Sequence, residues 1–385
     1  MEMKFQYKRS WRILFAALVG VGRIGIILGF VTNPDRTWAN ILLNNYVFLM
    51  LSIGALFFYA VQYVTNSGWS ALFQRIPLAA GVWLPIGFII MLVLYFGMPA
   101  LYEWTDKEVV ASDELLIYKS SYLNITFFYI RAVFYFALWI GFAWWMRKLS
   151  LKEDIQGTLH IDKHINASGA FIFAIVFTFT MATIDWIMTI DAHWFSTLFG
   201  LKNLLATMYY AVAFMILLLL WLQKQGYFTI MNEAHRHDFV RYLFRFSIVW
   251  GYLWFVQFLI IWYANIPEST VYYKPRMSGE WSIMFYLDFA LNFAIPFLAL
   301  MNDKVARTKT VMVVLSILLL LGMWISVYLQ IMPGSIGKCN IGLIEIFTFI
   351  GFLGFYLYLA FSLLSKTPLI PVNHPFLEES KHRHL

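Results

Sequence analysis

The chain has 385 residues, of which 61% are hydrophobic and only 13% charged, with a net charge of +7. An ordinary soluble domain carries about 25% charged residues, so this composition cannot clothe a water-facing surface. It excludes a soluble enzyme, and the placement of the basic residues, given below, excludes nucleic acid as their partner.

In chain order, a basic start, Met1 to Arg12, leads into an apolar run with no small-residue cleavage site after it. It therefore reads as the first helix of the mature protein. The predicted spans are Arg12–Val31, Asn40–Val64, Ala80–Gly97, Tyr122–Met146 and Ser168–Ile190. Five more follow: Leu198–Gln223, Arg241–Tyr263, Trp281–Leu300, Val311–Ile331 and Ile341–Leu364. Each run is long enough for a helix to cross the hydrocarbon core, about 20 residues, and none alternates like a barrel strand. The third is interrupted by Pro85 and ended by Pro99. The predicted fold class is all-α: a polytopic membrane protein with about ten transmembrane helices over 1–365 and an extended, mobile tail over 366–385.

Of the 28 lysines and arginines, nineteen fall in segments on the side of the N-terminus and seven on the other, with Arg23 and Arg131 inside spans. That bias places both chain ends on the cytoplasmic side. Tryptophan and tyrosine gather at span ends, at Trp144, Trp145, Trp194, Trp262, Tyr263 and Trp281, as an interfacial belt does. The longest outer loop, Met98–Ser121, is acidic through Glu103, Asp106, Glu108, Asp113 and Glu114, and reads as a small ordered cap or a docking surface.

Ionisable groups inside spans are costly and are the default candidates for function. They are Arg23, Arg131, Asp185, Asp288 and Glu345, with Asp191, Glu280 and Asp303 at span ends. Thr178, Asp185 and Thr189 fall near one helical face by their spacings of seven and four, as a stripe leading outward to Asp191 and His193. A desolvated carboxyl exchanges protons near neutral pH. Asp185 is thus either a proton-relay or quinone-edge carboxylate, or the partner of Arg23 or Arg131 in a packed ion pair. Asp288 lies one turn from Asn292, and Glu345 suits the N-terminus of the last span. Asn44, Asn45, Gln62 and Gln257 supply hydrogen bonds between helices.

The eight histidines, His160, His164, His193, His235, His237, His374, His382 and His384, all avoid the depth of a span. A b-type cytochrome, which needs axial ligands facing each other across a bundle, is excluded. His160 and His164 have a metal-binding spacing but sit in a charged cytoplasmic segment, so they read as solvated surface. The single cysteine, Cys339, excludes a disulfide within the chain and any all-cysteine metal site. The expectation is that no cofactor is bound by this chain and that any redox centre sits on another.

Two stretches carry a family resemblance. Asn33-Pro34-Asp35-Arg36-Thr37-Trp38-Ala39-Asn40, with Asn44-Asn45 and Gly68-Trp69-Ser70 after it, resembles the start of the F subunit of alternative complex III. Asp185-Trp186-Ile187-Met188-Thr189, through His193-Trp194-Phe195-Ser196-Thr197-Leu198-Phe199-Gly200, resembles that subunit's most recognisable stretch. The family belongs with the polysulfide-reductase/NrfD-like membrane proteins. The resemblance implies two four-helix bundles plus two further helices, in the cytoplasmic (inner) membrane of a bacterium, within a quinol:cytochrome c oxidoreductase. It implies as partners a paralogous NrfD-like C subunit, multihaem cytochrome c subunits, an iron–sulfur protein subunit and small membrane subunits, with lipids around them. A terminal oxidase is left open as a further partner. Haem c and iron–sulfur clusters are expected on those partners, and proton-conducting half-channels within the membrane subunits. Asp185, Asp191 and His193 lie in the matching motif. Where the family has Glu-Pro-His this chain has Asp191-Ala192-His193, which keeps the carboxyl and loses the rigid turn.

Three readings follow: a cofactor-free scaffolding and proton-handling subunit, a subunit with its own quinol site, or a secondary transporter. The last asks for inverted repeats and paired broken helices. No repeat is visible, and interior prolines fall only in the third and eighth spans, as Pro85 and Pro296.

Overall fold

The computed structural model describes residues 4–157 and 161–384. Ten helices are long and apolar enough to cross a membrane. They are α1 (Arg9–Thr32), α2 (Pro34–Val64), α3 (Ala71–Leu101, built of short pieces), α4 (Ile125–Gln156) and α5 (Ile161–Trp186). The others are α6 (Thr197–Lys224), α7 (Glu233–Ala264), α8 (Gly279–Leu300), α9 (Lys309–Ser335) and α10 (Leu343–Leu364). The protein is an all-α, multi-pass membrane protein, and ten crossings put both chain ends on one face.

Helices α2 to α5 pack as one four-helix bundle and α6 to α9 as a second, with α1 and α10 paired against the outside. The seam between bundles is α2 against α6, the two most buried spans. Gly54 lets the backbones approach there: a Cβ on it would lie 2.0 Å from the Thr207 carbonyl oxygen. The α1–α10 pair crosses at Gly22 and Gly351, where a Cβ on Gly22 would lie 2.3 Å from the Gly351 Cα. Lipid gives helices no hydrophobic reason to associate, so close backbone packing over small residues does that work.

Two spans are broken, and neighbours satisfy the breaks. In α3 the chain passes through a 3₁₀ turn at Gly81–Trp83 before Pro85, and the Ala80 carbonyl accepts from Ser52 at 2.7 Å and Tyr356 at 2.9 Å. In α8 a π turn covers Ala290–Ala294, just before Pro296. Proline has no N–H for the carbonyl four residues back, and Tyr209 donates to that carbonyl, of Asn292, at 3.2 Å. An unsatisfied carbonyl in lipid costs several kcal/mol, so such replacements are what allow proline there.

Helix ends differ from the apolar runs. Helix α4 continues to Gln156 and α7 begins at Glu233, because polar turns extend them beyond the lipid-facing stretch. Asn232 caps α7 in a reciprocal box with His235. The outer loop, read from sequence as an ordered cap or a docking surface, is ordered, with helices Lys107–Ser112 and Glu114–Lys119 capped by Asp106 and Asp113. The belt is partly real: Trp144, Trp145, Trp262 and Tyr263 are exposed, whereas Trp194 and Trp281 are buried.

The tail differs from its expected extended form. It pairs with the N-terminal strand-like segment at Lys4 and Pro368, forms a helix at Leu377–Lys381, and buries Leu369, His374, Leu377 and Ser380. Ser380 donates to the Trp69 carbonyl at 2.8 Å. Apolar side chains at these spacings dock the tail across the basic face of the first bundle.

Candidate functional site

The first bundle buries Asp185 in the last turn of α5, one residue before that helix ends. A carboxylate at a helix C-terminus opposes the helix dipole, and a neighbouring helix supplies the remedy. Arg131 of α4 donates from Nε to Oδ2 at 2.7 Å and from Nη2 to Oδ1 at 3.2 Å. Tyr122 donates to Oδ1 at 2.8 Å and Tyr135 to Oδ2 at 3.1 Å. The guanidinium also lies over the Tyr122 ring at 3.9 Å and the Phe127 ring at 4.4 Å. Both oxygens are thus fully used. Of the two partners left open by sequence, Arg131 is the one, while Arg23 is exposed on α1.

The expected stripe does not run on to Asp191 and His193. Helix α5 stops at Trp186 and a 3₁₀ turn covers Met188–Asp191, so helical spacing ceases to predict direction there. Thr189 donates to the Asp185 backbone carbonyl at 2.5 Å. Thr178 accepts from Trp139 at 2.8 Å and donates to Ala174. His193 turns outward to Asp113 at 2.8 Å. The Leu116 N–H first, and the His193 ring after it, hold the Asp113 carboxyl below its usual range. Lys119 ties the two outer loops together through the Ala192 carbonyl at 2.7 Å, and burial lowers its pKa.

Asp191 belongs to the second bundle. Arg276 donates to it at 2.9 Å, is anchored on the Leu329 and Tyr272 carbonyls at 2.8 and 2.7 Å, and stacks on Tyr272 at 3.6 Å. Deeper lies Asp288, buried on α8 directly before the π turn. It accepts from Asn292 Nδ2 at 2.8 Å, with Ser326 and Trp254 as further polar neighbours. The facing charge is Lys202 of α6, also buried, which interacts with both Asp288 and Arg276. Gly322 leaves room for the Asn292 amide: a Cβ there would lie 2.7 Å from its oxygen. Single-turn π bulges recur at functional sites because they re-aim side chains.

A third cluster sits at the other end of the first bundle. Glu153 of α4 and His164 of α5 meet at 2.6 Å, and both are buried. Tyr63 donates to Glu153 at 2.7 Å, Tyr59 meets His164 Nε2 at 2.8 Å, and the Tyr63 and His164 rings stack at 3.7 Å. Arg75 pairs with Asp154, which also receives the tail through Val372 N–H at 3.0 Å. His374 of the tail closes over this cluster, and burial lowers its pKa to about 4. His164 was expected to be solvated, and it is not; its α4 partner fixes it inside. His160 lies outside the described residues. Between the two ends of this bundle, Trp139, Phe171, Ile175 and Phe179 fill the interior.

Sequence reasoning missed Tyr122, Tyr135, Lys202, Glu153 and His164. Lys202 had a signal, a lysine four residues inside an apolar run; the Glu153–His164 pair had none, since only the fold joins them. Glu345 caps α10 as expected, donated to by Gly342 N–H at 2.8 Å, and also binds Arg36 at 2.6 Å and Asn40 at 2.8 Å. The Asn33–Asn40 motif is thereby an interhelix lock. Asn45, Gln62 and Gln257 bond across helices to Gly87, Tyr242 and Ser196. Among the described residues, no group of three His, Cys, Asp or Glu side chains is placed to hold a metal. No protein-family model and no curated protein matches this chain.

Proposed function

We propose that this chain is a membrane subunit of a bacterial quinol:cytochrome c oxidoreductase of the alternative complex III type, seated in the cytoplasmic membrane. In this reading it scaffolds a redox arm and handles protons, and electrons pass through haem c and iron–sulfur clusters on partner subunits. The observation that carries it is Asp288: an aspartate buried in the second bundle, beside a π turn and opposite Lys202. The sequence resemblance at Asn33–Asn40 and Asp185–Gly200 supplies the family. On the outer face, the acidic loop exposes Tyr118 at 84% and neighbours exposed Phe195 at 71%, which suits a docked extrinsic partner better than open water.

Asp288, not Asp185, is the carboxylate that this reading places on the proton path. Asp288 is met by neutral donors, Asn292, Ser326 and Trp254, and by a cation across a gap, while Asp185 is clamped by a guanidinium and two phenols. The test is co-purification in mild detergent followed by reconstitution. Haem c and iron–sulfur proteins should accompany the chain, and D288N should retain quinol oxidation while losing proton translocation. A chain that purifies without redox partners, or a D288N complex that translocates protons normally, contradicts the proposal.

One observation favours a second reading, a quinol site on this chain. A cavity of about 420 Å³ opens beside Tyr122 and is lined by Leu123, Ile184, Met188, Thr189 and Phe195. Its lining is mainly apolar, with Lys119 and Ser121 at its polar side, and Tyr122 links it to Asp185. A quinone photolabel recovered on Met188 or Phe195 supports this reading; labelling confined to partner subunits removes it.

A further inference from the structure

A cavity of about 640 Å³ opens at the basic end of the second bundle, between the first turns of α7 and the turn joining α8 to α9. Its wall carries Arg241, Arg307 and Arg383 against two carboxylates, Asp238 and Asp303, with His237 beside them. Three carboxylates, Asp238, Asp303 and Glu233, meet the three arginines, His237 also meets Asp303 at 3.0 Å, and Arg241 is the cation held least closely. Arg241 reaches Asp238 only at 3.6 Å, while Arg383 takes both oxygens of the same aspartate at 3.1 and 3.3 Å. Arg307 engages Asp303 and, at 3.7 Å, Glu233, yet its Nε–H is buried with no hydrogen-bond partner. That atom is sealed from the cavity, so the donors offered to a ligand are those of Arg241, half exposed and loosely paired, whose guanidinium fork fits a phosphate oxygen.

The remaining wall is apolar. Phe244 lies one turn deeper than Arg241 on α7, and Leu300 and Met301 end α8. Met301 is exposed, as are Arg245, one turn on from Arg241 in α7, and Lys304, next to Asp303 in the chain. Cations at the mouth, aliphatic and aromatic surface running toward the hydrocarbon, and a position at the end of two spans match a phospholipid's order of parts. Free phosphate would use only the first of these. Basic pockets between helices on the cytoplasmic side are where anionic headgroups bind.

We infer that this pocket holds the phosphate of an anionic phospholipid, with Arg241 and Arg307 beneath it and the tail's Arg383 closing over it. The inference does not rest on the redox reading; the same pocket would serve a transporter. It gives the docked tail a second role, since Arg383 reaches the pocket only when the tail lies across the bundle.

The experiment uses the purified full chain, exchanged into nanodiscs of equal parts phosphatidylglycerol and phosphatidylcholine, with retained lipid counted by native mass spectrometry after re-extraction. The wild type should keep phosphatidylglycerol over phosphatidylcholine by about tenfold, and R241Q should lose about fivefold of that preference. R241Q/R383Q should show none. A parallel arm offers inorganic phosphate to lipid-stripped protein and reads thermal stability; no shift is expected, and a shift equal to that from phosphatidylglycerol would make the site one for free anions and overturn the lipid assignment. Equal retention of the two lipids by the wild type also overturns it, and that result needs no variant to fold.

Discussion

In the first bundle Asp185 accepts four hydrogen bonds from three side chains, among them a guanidinium on both its oxygens. In the second, Asp288 takes the Asn292 amide at 2.8 Å, has Ser326 and Trp254 as further neutral donors, and faces the Lys202 ammonium with no ion pair closed. Both are buried, and the sequence put Asp185 forward ahead of Asp288. The difference is one of partner chemistry: the carboxylate on a guanidinium is a clamp, and the one among neutral donors is the exchanger of the proposed function. Depth reinforces the contrast. Asp185 ends its helix near the outer surface, whereas Asp288 lies about 14 Å along α8 from its outer end.

The sharpest way to break this comparison is to remove the clamp. R131A should leave Asp185 as an uncompensated buried charge and cost about 3–5 kcal/mol, seen as loss of folded protein in detergent; a variant as stable as wild type would mean Asp185 is not paired in the membrane. At the other end of the same bundle, the docked tail should respond to pH. His374 is held neutral by burial, with its pKa at about 4; the undocked tail has the ordinary value near 6.5. Docking is therefore at full strength above pH 6.5, weakens as pH falls toward 4, and levels off below, a total of about 3 kcal/mol. Amide exchange across 366–384 measures this, and H374F should flatten the dependence.

Smaller effects separate the two aspartates further. Y122F deletes a charge-assisted hydrogen bond and should cost about 1.5–3 kcal/mol, with no change in proton translocation. D288N keeps the shape of the side chain, leaves Lys202 without its facing charge, and should abolish translocation. If Y122F abolishes translocation and D288N leaves it intact, the assignment of clamp and exchanger is reversed.

The ten spans were legible because lipid demands long apolar helices and little else in the sequence competes with that signal. The helix termini were not, since α4 and α7 run on through Lys148, Glu153 and His237 in water-side turns whose polarity hides their regularity. Pairing was the harder loss. Arg23, Arg131 and Asp185 are all visible as charges in apolar runs, but which cation meets the carboxylate depends on rotation and tilt, which a linear pattern does not encode. Asp191 was read onto the Asp185 face because a helix was assumed to continue through Thr189; the 3₁₀ turn after Trp186 sends it to Arg276 of the other bundle instead. Lys202 was readable and was counted with the loops.

The most direct measurement is the infrared difference spectrum of the carboxyl stretching region for the reconstituted chain, recorded between high and low pH. With Asp288 as the exchanging group, a buried-carboxyl band appears in the wild type and in D185N, and is absent from D288N. A band that survives D288N and vanishes in D185N would place the exchangeable proton on the clamped aspartate and contradict the division between the bundles.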